Sequence, residues 1–204
     1  MDVNANLVRE LRDKTGAGVM DCKKALAEAK GDLEAAAVWL REKGIAAAAK
    51  RAGRVASEGA VGSYIHAGGK LGVLLEVNCE SDFVAKTPEF QTLVKELAMQ
   101  IAASNPRSVR REELSAEVIE QERQIYASQA AGAGKPEAVI NKIVDGKLEK
   151  FYAESCLYEQ AWVRDPNRTI KDLVGEYVGK LGEKIEVRRF VRFQLGENLE
   201  ARAA

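Results

Sequence analysis

Apolar residues alternate along residues 71–79, where Leu71, Val73, Leu75, Val77 and Cys79 fall on one side of the chain. That period of two predicts a half-buried strand. Upstream, Val61, Ser63 and Ile65 alternate with Gly62, Tyr64 and His66, and Ala67-Gly-Gly-Lys70 between the two runs predicts a hairpin with a four-residue loop. At the end of the second run the pattern breaks. Asn78, Glu80, Ser81 and Asp82 are polar, yet Phe83 and Val84 follow at once. Thr87-Pro88-Glu89 then opens a helix with a capping hydroxyl and a proline at the first helical position. An aromatic residue in a polar turn either folds back on the core or stands as an apolar tip that can pry at a partner. Spacing alone favours the core, where most aromatic side chains end.

The N-terminal region has a different period. Residues 5–43 read as three short helices. Leu7, Val8 and Leu11 mark the first, which stops at the Thr15-Gly-Ala-Gly18 turn. The second runs from about Val19 to Lys30, with Met20, Cys22 and Leu26 among its apolar positions. Gly31 is a natural stop and Asp32 a natural cap for the third, which carries Leu33, Ala36, Ala37, Trp39 and Leu40. Residues 44–58 form an alanine-rich basic connector. Its Lys50, Arg51 and Arg54 are of the type that touches phosphates, but such a segment is more often a solvated linker or a short helix.

Three helical stretches follow the hairpin. Phe90, Leu93, Val94, Leu97, Ala98 and Ile101 mark the first, ended by Asn105-Pro106. Ser115 caps the second, whose apolar face is Val118, Ile119, Ile125 and Tyr126. Gly132, Gly134 and Pro136 break the chain before the third, along which Ile140, Ile143, Lys147 and Phe151 share a stripe. Residues 155–163 suggest a strand, Pro166-Asn-Arg a turn, and Thr169-Ile-Lys-Asp172 a capping box opening a last helix. The final alternation of Ile185, Val187, Val191, Phe193 and Leu195 is interrupted at Arg189 and Phe190, which suggests a bulge or a change of face. The fold expected is α+β: a small N-terminal three-helix bundle, then an α+β core with a mainly antiparallel sheet and packed helices. The corresponding divisions are a module at 1–44, a linker at 45–58 and a core at 59–204.

Composition narrows the function. Lys+Arg and Asp+Glu both total 31 in 204 residues, a formal net charge of zero, which argues against a dedicated nucleic-acid binder. No apolar run approaches the ~20 residues needed to cross a bilayer. The first residues have neither a signal-peptide nor a transit-peptide pattern, and Cys22, Cys79 and Cys156 are odd in number and far apart. A cytoplasmic protein with free thiols is the expectation.

Catalytic chemistry is missing. His66 is the single histidine, sits in a hairpin and has no organised triad near it in sequence. The cysteines show no zinc spacing. Gly134-Lys135 lacks the upstream glycine of a phosphate-binding loop and is followed by Pro136, while Gly16-Ala-Gly18 follows a helix and not a strand. An enzyme is not expected, nor any metal or cofactor.

Two segments point to a family. Leu11-Arg-Asp-Lys-Thr-Gly-Ala-Gly-Val-Met-Asp-Cys-Lys-Lys-Ala-Leu26 and Glu76-Val-Asn-Cys-Glu-Ser-Asp-Phe-Val-Ala-Lys86 resemble the two signatures of the translation elongation factor Ts family. The resemblance continues through residues 146–152 and 188–197 and covers nearly the whole chain. It implies a guanine-nucleotide exchange factor for elongation factor Tu, the GTPase that carries aminoacyl-tRNA to the ribosome. The N-terminal helices would then be a ubiquitin-associated-type bundle, with Arg12, Val19, Met20 and Lys23 touching the GTPase. Ser81, Asp82, Phe83 and Val84 match the family's Thr-Asp-Phe-Val probe, whose phenylalanine inserts beside the nucleotide and disturbs the Mg²⁺ and phosphate site. Serine replaces the usual threonine at 81, so the hydroxyl survives and a methyl is lost. The chain is also shorter than many members, which carry a second core segment and an inserted helical hairpin. A second copy could supply what these provide, so homodimerisation is a further expectation. The alternative from another class is an RNA- or ribosome-associated protein using the basic connector.

Overall fold

In the computed structural model, which describes residues 4–131 and 136–197, the N-terminal periodicity becomes three helices: α1 (Ala5–Thr15), α2 (Val19–Glu28) and α3 (Leu33–Arg51). The start of α3 and the stop of α1 are the ones the sequence signals, while α2 ends at Glu28, before Gly31. Gly16 ends α1 in the left-handed region at φ 67°, and Asp32 caps α3 by accepting from the N–H groups of Glu34 and Ala35. Val8, Leu11, Cys22, Ala25, Leu26 and Ala36 form the buried centre of the bundle. Met20 does not join it and is 73% exposed.

The third helix differs in length from the expectation. It continues through Gly44 and the alanine run to Arg51, taking in the first half of the basic connector. Alanine has the highest helix propensity, so the run needs no apolar stripe to stay helical. A tertiary contact adds to it. A Cβ at Gly44 would lie 3.0 Å from the Gly175 carbonyl oxygen and 3.2 Å from Glu176 Cα, so the glycine lets the backbone of α3 lie directly on that of α8 (Ile170–Leu181).

Strands β1 (Glu58–Ile65), β2 (Leu71–Cys79) and β5 (Ile185–Gln194) make an antiparallel three-stranded sheet with β2 in the centre. His66 N–H donates to the Leu71 carbonyl, closing the four-residue loop. Val73, Leu75, Val77 and Cys79 are buried, as the alternation requires. On β5 the interruption at Arg189 and Phe190 is a change of face: Ile185 and Val187 are buried, whereas Val191, Phe193 and, just past the strand, Leu195 are exposed and Arg192 is buried in their place. The Arg192 Nε–H donates to the Ala102 carbonyl, which gives the inward guanidinium a partner.

A single helical turn, α4 (Asp82–Ala85), follows β2 and leads into α5 (Pro88–Ser104), whose apolar stripe from Phe90 to Ile101 is buried. Helices α6 (Ala116–Ala131) and α7 (Glu137–Ser155) pack on each other. Val144, Leu148 and Phe151 form the buried stripe of α7, while Ile125 of α6 faces outward instead of joining its helix's apolar face. Gly132 and Gly134 lie outside the described residues.

Residues 155–163 are not one strand. Leu157–Glu159 is a 3₁₀ turn, and only Ala161–Trp162 is extended as β3. Nor is Pro166 in the turn: β3 pairs antiparallel with β4 (Asp165–Thr169) through Trp162 and Asp165, which leaves Val163 and Arg164 between them. A two-stranded ribbon has only edges, where proline's missing N–H costs no ladder bond. Helix α8 starts directly after Thr169, where the capping-box pattern places it.

The chain clusters into two compact units. One comprises residues 4–61, 76–94 and 171–187; the other comprises 62–75, 95–131, 136–170 and 188–197. The first contains both signature segments.

Candidate functional site

Phe83 stands in solvent. The residue is 85% exposed, on a turn whose flanking elements are both ordered. The reading from spacing alone, which buries this ring in the core, is therefore overturned. Its neighbours separate by role: Ala85 is buried, Val84 and Ser81 are half-buried, and Asp82 is exposed. The Asp82 carboxylate accepts from Lys86 Nζ at 2.6 Å, one helical turn away. Both groups are solvated, so that pair contributes little to stability.

Four residues make one turn of helix, too short to persist by itself in water. The turn is held at its two ends. At the downstream end, Gln91 Nε2 donates to the Ala85 carbonyl at 2.7 Å and Thr87 Oγ1 donates to the Val84 carbonyl at 2.8 Å. At the upstream end, Ser81 Oγ accepts from Val84 N–H at 3.4 Å and donates to Glu183 Oε1 at 2.5 Å. Oε2 of Glu183 accepts from the backbone N–H groups of Glu80 at 3.1 Å and Ser81 at 2.9 Å. Cys79 Sγ donates to the Ser81 carbonyl at 3.2 Å. Burial first, and then the Glu183 charge, push the Cys79 thiol up to about 11, so it is a neutral S–H donor and not a nucleophile.

Glu80 returns the contact. Its Oε1 accepts from the backbone N–H of Lys184 at 2.6 Å, and the Arg54 guanidinium lies at 3.3 Å. The bond from Lys184 N–H, followed by Arg54, holds the Glu80 carboxyl below its ordinary value of 4.5. A carboxyl that is more acidic folded than unfolded stabilises the fold above its unfolded value and loses that contribution as pH falls through the lowered one. Thermal melts taken from neutral pH to below about 4.5 should therefore show the midpoint falling with acid. Glu80→Gln should flatten that fall; an unchanged acid slope would contradict the assignment.

The N-terminal candidates lie elsewhere in the same unit. Val19, Met20 and Lys23 sit in the first turns of α2, all exposed, and Arg12 is exposed in the last turn of α1. Val19 and Lys23 are one turn apart and share a helix face. The structure thus gathers Ser81, Asp82, Phe83 and Val84 into one turn and presents the other four on the three-helix bundle. Sequence reasoning missed Glu183 and Glu80. Nothing local marks Glu183 as a partner of a turn about a hundred positions away; only the glycine stop at Gly182 hints that a helix ends beside it.

Among the described residues, no group of three or more His, Cys, Asp or Glu side chains is placed to hold a metal ion, and no helix is long and apolar enough to cross a membrane. The solvent-exposed aromatic tip, and not a pocket with reactive groups, is the feature that distinguishes this region.

Comparison with known proteins shows the family along most of the chain. A family model described as Elongation factor TS matches residues 33–197. The chain is 61% identical to a protein named elongation factor Ts from Anaeromyxobacter sp. strain K over 199 residues, which cover 98% of this chain and 91% of that one. It is 59% identical over 198 residues to a protein of the same name from Thermoanaerobacter sp. strain X514, with 97% of each chain covered. The protein of that name from Desulforamulus reducens is 57% identical over 201 residues, covering 98% and 93%.

Proposed function

Since the chain belongs to the elongation factor Ts family, and is thereby a translation elongation factor, we propose that it is the guanine-nucleotide exchange factor of elongation factor Tu, and that Phe83 is the wedge it uses. The observation that carries this reading is the exposure of the Phe83 ring on a turn anchored at both ends. An apolar ring kept in water at a fixed place contributes nothing to the free protein's core. It gains only when a partner covers it, by about 1.5–3 kcal/mol on full desolvation.

Bound GDP is held chiefly at its phosphate and Mg²⁺ end, so a ring driven in beside that end weakens the nucleotide without covalent chemistry. Part of the ring's burial energy is offset by the distortion of the partner's site. The metal in this scheme is the partner's own. Ser81 and Val84 seat the turn, Asp82 remains accessible to hydrogen-bond the partner, and Val19, Met20, Lys23 and Arg12 provide a second contact through the three-helix bundle. Coupling between the two ligands is reciprocal: a factor that loosens GDP is itself loosened by GDP to the same degree.

That reciprocity supplies the test. Tagged protein should retain nucleotide-free elongation factor Tu in a pull-down and release it on addition of excess GDP. Equal retention with and without GDP would refute the exchange reading, because it would mean no coupling. The alternative through the basic connector has less support. Arg51 donates to the Gly182 and Ala47 carbonyls, and Arg54 pairs with Glu80, so two of its three cations are engaged within the protein.

A further inference from the structure

We propose that Glu183 is a positioning residue for nucleotide exchange, fixing the direction in which Phe83 points; the inference rests on the exchange reading just given. The ring itself is in solvent, so its own contacts cannot set its direction. The turn that carries it has a weak internal cap, the 3.4 Å approach of Val84 N–H to Ser81 Oγ. Orientation must come from outside the turn. At its upstream end three donors, the N–H groups of Glu80 and Ser81 and the Ser81 hydroxyl, converge on the two oxygens of one carboxylate. Bonds to an ionised acceptor are shorter and roughly twice as strong as neutral ones. Because both oxygens are used, the carboxylate restrains rotation of the turn as well as its distance.

Glu183 is itself held in place before any partner arrives. Helix α8 ends at Gly182, which adopts φ 75° and donates its N–H to the Val178 carbonyl. The Gly182 carbonyl accepts from Arg51 Nε at 3.1 Å. On the other side, Lys184 N–H is bound by Glu80 at 2.6 Å. Glu80 and Glu183 thus exchange bonds: Glu80, just past the end of β2, holds the backbone leading into β5, and Glu183, two residues before β5, holds the backbone leading into α4. The carboxylate therefore has a fixed base from which to aim the turn, the arrangement a preorganised site requires.

The test is a double-mutant cycle on release of fluorescent GDP from elongation factor Tu, measured against factor concentration for wild type, Glu183→Gln, Phe83→Ala and the pair. The Gln amide keeps one acceptor oxygen but places an NH₂ against donors. The maximal release rate of Glu183→Gln should fall about tenfold, the scale of one lost bond to a charged group. Its half-saturating concentration should stay near that of wild type, because the rest of the contact surface is unchanged. In the Phe83→Ala background the same substitution should have no further effect, since a residue that acts through Phe83 has nothing left to aim. A wild-type maximal rate for Glu183→Gln, a change confined to half-saturation, or a full further loss in the Phe83→Ala background would each overturn the proposal. Wild-type release by Phe83→Ala alone would instead overturn the wedge. Should Glu183→Gln fail to fold, Ser81→Ala removes one of the three donors and is read in the same cycle, with a smaller loss of about threefold expected.

Discussion

Phe83→Ala should slow factor-stimulated GDP release by about tenfold to a hundredfold while leaving the free protein as stable as before. The two halves of that result come from one observation. At 85% exposure, Phe83 supports no packing that alanine would forfeit, so the melting midpoint should not move. In the complex the same ring accounts for about 1.5–3 kcal/mol of burial, and each 1.4 kcal/mol is a factor of ten. Because the ring's work is opposed by distortion of the phosphate site, its loss should appear mainly in the maximal rate. Stopped-flow release of fluorescent GDP measures it directly. An unchanged rate with an intact fold would remove the wedge mechanism; a lowered melting midpoint would show that the ring packs in solution.

Gly59→Ala should have the largest effect on stability, lowering it by about 3 kcal/mol or more. Gly59 lies in β1 at φ 142°, a conformation side chains rarely adopt, and that strain alone costs ~1–3 kcal/mol. Space is a second, harder obstacle. A Cβ there would sit 2.1 Å from the Val77 carbonyl oxygen and 2.8 Å from Asn78 Cα, both backbone atoms of the neighbouring strand. Backbone in a paired strand cannot swing aside as a lysine tip can, so β1 must shift or detach. The melting midpoint should fall by roughly 6–12 °C for a protein of this size. A midpoint within a degree of wild type would mean that β1 does not hold this register in solution.

What the sequence reveals, and what it hides, divides by range. The buried face of β2, the four-residue loop, the Asp32 and Thr87 caps and the change of face at Arg189 are all set by neighbours a few positions away, and these local rules read correctly. The extent of α3 does not read from a stripe, because an alanine run has none, and its Gly44 lies against a glycine of α8 more than a hundred residues on. Pro166 reads as a turn because proline usually breaks a strand, a rule the two-edged ribbon escapes. The site shows the same division. The apolar pair Phe83-Val84 in a polar setting is visible as an anomaly, but the bland reading of the ring is the wrong one, and the resemblance at residues 76–86 is what points to a tip. Its support by Glu183 is invisible, since a glutamate in a loop carries no mark of what it will cap.

The glycine contact between α3 and α8 bears on how this protein can be dissected. Helix α3 has two neighbours to satisfy. Near its start, Ala36 is buried in the bundle with α1 and α2; farther along, Gly44 lies against Gly175, and a Cβ at Gly179 would come 3.4 Å from Gly44 Cα. Truncation after residue 44 would sever a continuous helix and strip the bare backbone of α8 of its cover. Truncation in the turn before Leu33 would preserve that seam, and it coincides with where the family model begins. It would in turn leave Leu33, Ala36 and Leu40 facing water. The helix is a party wall, and any excision of the N-terminal bundle must first decide which side keeps it.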